Sequence, residues 1–230
     1  MAKPNYVTRE RMSNEYEGDS YPDNLKERLA KILKDGNYRE HEKKKIIKRK
    51  NQIMEEVTYD TLELTFYENP VKTHRPYVTR WSTFTPRADE DGSMMKTFHE
   101  SSIEDKLKMI CTPIMMDIKA YFPIPKSFSK RDTVLAELGF IKHMTVPDWD
   151  NVGKAYCDMQ NALTFLDDSL IVDSRVRKLY SKKPRVVVTM RFQSHILNKY
   201  QLRSIENRKS FKELLEEDAV LEPCYLEECY

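Results

Sequence analysis

The chain is 230 residues long, a length that suits one domain carrying arms. Its 39 Lys and Arg nearly cancel 37 Asp and Glu, so the net charge of +2 makes no case for nucleic acid by itself. Its five glycines, Gly18, Gly36, Gly92, Gly139 and Gly153, never cluster, which excludes the glycine-rich phosphate loops of Rossmann and P-loop nucleotide sites.

Residues 1–22 are polar and predict no packed structure. From 22 to about 54 the pattern is helical, with Gly36 as a break between two helices. Within it, residues 41–50 carry six basic groups against one acid, which reads as a basic arm for an anionic partner or as a solvated helix face. Residues 59–67 alternate polar and apolar, as a half-buried strand does. Thr, Tyr, Val and Trp over 76–84 fit a second strand or an extended loop. A helix is expected over 98–111, with Ile103, Leu107 and Ile110 at helical spacing. Ile114, Met116, Ile118, Ala120 and Phe122 alternate into a third strand that Pro123 ends. Residues 151–163 are the best core helix, with Val152, Ala155, Tyr156, Met159 and Leu163 on one face. Strands over 170–180 and 185–192 are expected to form an antiparallel hairpin about Ser-Lys-Lys-Pro. A last helix over 203–217 leads into a tail in which residues 213–230 hold seven acids and no Lys or Arg. The pattern predicts an α+β protein: a basic, partly helical arm over 1–56, a core over 57–194, and a C-terminal helix with an acidic tail over 195–230.

No apolar run approaches the roughly 18 residues of a membrane span. The start lacks the apolar stretch of a secretory signal. Cys111, Cys157, Cys224 and Cys229 form no Cys-x-x-Cys, and read as reduced structural thiols of a cytoplasmic protein. His74, His99, His143 and His195 pair with no acid at useful spacing and are read as structural or surface residues.

One stretch carries chemistry: Val146-Pro147-Asp148-Trp149-Asp150-Asn151-Val152-Gly153-Lys154. Pro147 biases its predecessor to an extended conformation ahead of the core helix. In an extended segment Asp148 and Asp150 project to one side, and Lys154 lies one helical turn after Asp150. Beyond the helix stands a second acidic pair, Asp167-Asp168, before Ser169. Taken singly, each piece has an ordinary reading: Asp148 or Asp150 as an N-cap, Asp150 with Lys154 as a surface pair, and Asp167-Asp168-Ser169 as a turn. Together, such carboxylates repel one another unless a cation neutralises them. Hard oxygen ligands suit Mg²⁺ or Mn²⁺, which activates water and stabilises charge on a phosphate.

At these residues the chain resembles the RusA family of Holliday junction resolvases of bacteriophages and prophages. That family's pattern is Asp-x-Asp-Asn, a Lys three residues later, a helix, and an Asp-Asp pair opening a strand. Here 147–154 and 167–172 match it in order and spacing. Weaker likeness at Arg75-Pro76-Tyr77, Phe84-Thr85-Pro86, the 121–125 segment and Arg177-Lys178 extends it over about 57–194. The resemblance implies a mixed sheet packed by helices. It also implies a Mg²⁺-dependent homodimeric endonuclease that cuts branched DNA, chiefly four-way junctions, by paired symmetric nicks in phage recombination and replication. By the same carry-over Asp148, Asp150 and one of Asp167 or Asp168 hold the metal, Asp168 being preferred, and Lys154 takes the catalytic lysine position. Gly153, costly in a helix by about 1 kcal/mol against Ala, is expected to permit close approach of DNA. Trp149 is expected to be buried under the sheet, with stacking on an opened base as the alternative.

Phosphate neutralisation supplies most nuclease affinity, and Arg75, Arg80, Arg87, Arg175, Arg177, Lys178, Lys182 and Lys183 are the candidates for it. The 114–122 strand is the candidate dimer surface. The expected setting is the cytoplasm of a bacterial host, with a further phage or host recombination protein admitted as partner. The alternatives are a non-catalytic branched-DNA-binding protein keeping the same fold, and a scaffold or regulatory protein whose basic arm binds a protein.

Overall fold

The computed structural model describes residues 8–12, 25–71, 77–78, 83–84, 108–216 and 224–225 of an α+β chain. One sheet holds β1 (Thr8–Met12), β2 (Tyr59–Phe66), β3 (Ile114–Pro123), β4 (Ile171–Ser181) and β5 (Arg185–Gln193). Their spatial order is β1-β2-β5-β3-β4. Only β3 and β4 run parallel, so the sheet is mixed. The helices are α1 (Leu25–Asp35), α2 (Glu40–Glu56), α3 (Lys130–Glu137), α4 (Trp149–Gln160), α5 (Lys199–Glu206) and α6 (Lys209–Glu216).

Alternation decides which face of the sheet is wet. Ile114, Met116, Ile118, Ala120 and Phe122 of β3 are buried, together with Leu62, Leu64 and Phe66 of β2 and Val186, Val188, Met190 and Phe192 of β5. Each fully buried large apolar side chain contributes about 1.5–3 kcal/mol. On the opposite face Asp117 pairs with Arg177, Thr189 donates to Glu63, and the Arg185 guanidinium stacks over the Tyr121 ring. The helix α4 lies on the apolar face because Val152, Gly153, Tyr156, Met159 and Gln160 form its buried stripe. Ile196, Ile205 and Phe211 join the same core, so α5 and α6 pack with the sheet.

The strands over 59–67 and 114–122 fall where the alternation places them. The two N-terminal helices break at Gly36, and neither has a buried residue. The basic run 41–50 lies on α2. Five expectations change. Residues 8–12, expected to be unpacked, form β1 at the sheet edge, paired antiparallel with β2. The 170–180 and 185–192 strands form no hairpin, because β3 lies between them. Pro184 has no N–H to give a ladder, and Glu137 of α3 instead accepts from the Ser181 hydroxyl and the Lys182 amide. Four Cα steps from Ser181 to Arg185 reach up to about 14 Å, enough to clear one strand. Residues 109–111 are not helical: the Ile110 amide bonds the Thr164 carbonyl and its own carbonyl accepts from Leu166. The remainder of the 98–111 expectation, and of 76–84 apart from the short pairing of Tyr77–Val78 with Thr83–Phe84, lies outside the described residues. The single helix over 203–217 is two helices that part at Asn207 and Arg208. Finally, the 114–122 strand is central and hydrogen-bonded on both edges, and Ile114, Met116, Ile118, Ala120 and Phe122 lie in the core, so those apolar side chains are not exposed for a dimer surface.

Candidate active site

Asp148 occupies the N-cap position of α4 in extended backbone, yet its side chain makes no capping bond. Asp150 sits in the first turn, and both side chains are exposed. Neither carboxylate has a hydrogen-bond or ion-pair partner among the described residues, so the cap and surface-pair readings do not use them. The loop before Asp148 is tied down from β4: the Lys178 ammonium donates to the carbonyls of Thr145 and Pro147, both at 2.7 Å. Those bonds give Lys178, a candidate for DNA contact, a positioning task. Lys178→Met keeps the apolar stem and frees both carbonyls. It should loosen the loop ahead of Asp148, which faster hydrogen exchange at the Val146 and Asp148 amides would report.

His143 sits in the same loop, its ring stacked on Phe122 at 4.0 Å between centroids and tilted against Tyr180 at 5.0 Å. Burial, reinforced by the Lys178 charge, lowers its pKa below 6.5. The unfolded chain therefore takes up a proton first as pH falls, and His143 stabilises the fold above about 6.5 but loses that contribution as pH drops through and below this value. Melting curves between pH 7.5 and 5 should show wild type losing stability on acidification, and His143→Phe should flatten that slope.

Farther along α4, Lys154 and Asp158 follow Asp150 at i+4 and i+8 on one exposed face. Asp158 was not singled out in the sequence, where an acid four residues after a lysine is the pattern of an ordinary surface pair. Partial desolvation raises its pKa, the charge of Asp168 adds to that rise, and Lys154 opposes it. Asp168, in the short turn that precedes β4, lies near this end of the helix. Its neighbour Asp167 is fully engaged. One oxygen accepts from the Ser169 amide at 2.9 Å and caps the short 3-10 turn Asp168–Leu170; the other pairs with Arg208 at 3.1 Å. Hydrogen bonding from Ser169, helped by Arg208, holds Asp167 below the usual carboxylate range. Asp168 has no such partner among the described residues, which makes it the available acid of the two.

The acids do not converge in a single cluster. With Lys178 of β4 bound at Pro147 and Gly153 packed on Val176, the helix runs antiparallel to β4. Asp148 and Asp150 thus lie at one end of α4, and Asp158 with Asp168 about 12 Å along it, eight residues at 1.5 Å each. Gly153 is buried, and a Cβ there would stand 2.9 Å from Val176 Cγ2, so it serves helix–sheet contact and not the approach of DNA. Trp149 is 63% exposed, contrary to the expected burial, which leaves its ring open for stacking. Lys182 and Lys183 are exposed beyond the C-terminal end of β4, away from Asp168. Arg177 is paired with Asp117. Arg75, Arg80 and Arg87 lie outside the described residues. Burial pushes the Cys111 thiol up to about 12 and the Cys157 thiol up to about 11, so both are inert at neutral pH.

Among the described residues no three His, Cys, Asp or Glu side chains gather closely enough to cage a metal. Mg²⁺ does not need such a cage: it binds through one or two carboxylates, waters and substrate phosphates. The exposed, unengaged pair Asp148 and Asp150 suits that donor set. No helix among the described residues is long and apolar enough to cross a membrane.

The chain is 36% identical over 140 residues to a protein of Bacillus subtilis (strain 168) described as uncharacterized protein YqaN, covering 57% of this chain and 96% of that protein. The family model described as endodeoxyribonuclease RusA matches residues 68–191, which include Asp148, Asp150, Lys154, Asp158 and the Asp167-Asp168 pair. The chain belongs to the RusA family of endodeoxyribonucleases.

Proposed function

We propose that the chain is a Mg²⁺-dependent, structure-selective endonuclease that resolves Holliday junctions and other branched DNA by paired symmetric nicks, as a homodimer, in phage recombination and replication. The observation that carries this reading is the exposed pair Asp148 and Asp150, without partners among the described residues, with Lys154 one turn farther on the same helix. Asp148 and Asp150 would hold the ion, with waters and substrate phosphates completing its shell. Asp168, at the far end of α4 beside Asp158, would act through the charged strip that includes Lys154 and not as a ligand of the same ion. Bound there, Mg²⁺ or Mn²⁺ supplies charge neutralisation at the phosphate and a more acidic water. Lys154 places its ammonium on a phosphate oxygen and stabilises charge as the bond breaks. Trp149 offers a face on which an unpaired base stacks. The basic face of α2 and the exposed Lys182 and Lys183 hold phosphates away from the cut. We assign 1–56 to a DNA-binding arm and 57–194 to the nuclease core.

The test is a synthetic four-way junction incubated with the protein and Mg²⁺, beside an EDTA control and a linear duplex of the same sequence. Symmetric nicks in the junction alone support the reading. A junction bound but intact in every divalent ion makes the chain a branched-DNA-binding protein instead. One chain carries one Asp148–Asp150 pair, and a C₂ dimer places two on strands of like polarity. Adding excess Asp150→Asn chains to wild type on a supercoiled cruciform should therefore convert linear product to nicked circles. Loss of linear product in proportion, without nicked circles, counts against paired sites.

A further inference from the structure

Arg208 lies beyond the segment matched to the family, at the junction of α5 and α6. Its guanidinium pairs with Asp167 at 3.1 Å and donates to the Ser169 hydroxyl at 3.3 Å. Its own backbone is fixed, with the amide bonded to the Ile205 carbonyl and the carbonyl accepting from the Lys212 amide. The helices on either side are anchored in the core by Ile205 and Phe211. A rigid element outside the nuclease segment thus grips the turn that displays Asp168.

We infer that Arg208 is a positioning residue: it clamps the Asp167–Ser169 turn from the C-terminal helix pair and thereby fixes the Asp168 carboxylate beside Asp158 at the C-terminal end of α4. The geometry divides the labour within the acidic pair. With one oxygen on the Ser169 amide and the other on Arg208, Asp167 cannot rotate toward a ligand, and the next side chain is directed by a turn held at two points. An arginine suits this task because its planar fork reaches a carboxylate and a hydroxyl together, which a lysine's point charge does not fix in orientation. Residues 199–216 are then part of the working site, although the family segment ends before them.

The inference rests on the nuclease reading for its effect on rate, and the experiment separates the two. Arg208→Ala and Arg208→Lys are compared with wild type in the full chain by hydrogen exchange at the Ser169 and Leu170 amides, Mn²⁺ titration by calorimetry, and single-turnover cleavage across junction concentrations. Arg208→Ala should speed exchange at both amides and leave Mn²⁺ binding, which rests on Asp148 and Asp150, at the wild-type value. It should also lower the cleavage rate about tenfold, within the roughly 10²-fold that a misplacement of about 1 Å can cost, with the junction concentration at half-maximal rate unchanged. Arg208→Lys should restore part of the exchange protection and part of the rate. Slower cleavage with wild-type exchange at Ser169 would mean that Arg208 touches DNA directly, and would overturn the clamp. Exchange and rate both at wild-type values would overturn it as well. If wild type cuts no branched DNA, the nuclease reading falls, while the exchange at Ser169 still decides whether the clamp exists.

Discussion

Asp150→Asn is expected to lower the rate of junction cleavage by at least about a hundredfold, since removing even a supporting partner of a metal ligand costs 10–100-fold. The amide keeps the shape of the side chain and removes the charge. Asp150 is exposed and bonded to no described residue, so stability should stay within about 0.5 kcal/mol of wild type, as for other surface changes. Junction binding should survive or tighten, because repulsion between carboxylate and phosphate is relieved. Single-turnover cleavage beside a gel shift reads both quantities, and Asp148→Asn should behave alike. A variant that cuts at nearly the wild-type rate would reduce Asp150 to a first-turn acid worth about 0.3–1 kcal/mol to the helix dipole.

The second large effect is on stability. Gly153→Val should destabilise the fold by about 1–3 kcal/mol, the usual cost of forcing methyl groups into a packed core. The obstacle is Val176 Cγ2, 2.9 Å from where the new Cβ would sit. Val176 is β-branched and stiff about χ1, so it does not swing aside. For a chain of this size each kcal/mol lowers the melting temperature by about 2–4 °C. Gly153→Ala should cost less, because the same contact is offset by about 1 kcal/mol of helix propensity. Val176→Ala in the Gly153→Val background should recover most of the loss. A melting temperature unchanged by Gly153→Val would show that α4 does not depend on this close contact.

Local pattern was a good guide where one face of an element meets the core. The alternation over 114–122 and the stripe of Val152, Tyr156 and Met159 lie in the structure as they read in the chain, because period 2 and period 3.6 record burial directly. Pairing is a different kind of information. Ser181-Lys182-Lys183-Pro184 has the composition of a hairpin turn, yet the same residues hop over the end of β3, and nothing local distinguishes the two. The helix α3 was legible and overlooked: Ser129 caps Asp132 three residues on, and Gly139 follows with positive φ. Asp148, Asp150 and Lys154 stood out because they share one short motif. The engagement of Asp167 did not, since its partner Arg208 stands forty-one residues beyond it in the chain and beside it in space.

The connection from β3 to β4 carries Asp148, Asp150, Lys154, Asp158 and Asp168 in one uninterrupted stretch. Its tolerance to insertions and deletions should therefore be sharply uneven. One extra residue between Asp150 and Lys154 turns everything after it by about 100° around the helix axis, at 3.6 residues per turn, and carries the lysine off the strip it shares with Asp150. An extra residue between Gln160 and Phe165, after α4 has ended, leaves that strip intact and alters only the path to Asp168, whose turn is held from outside by Arg208. Length variation among related nucleases should accordingly collect just after this helix and be absent within it.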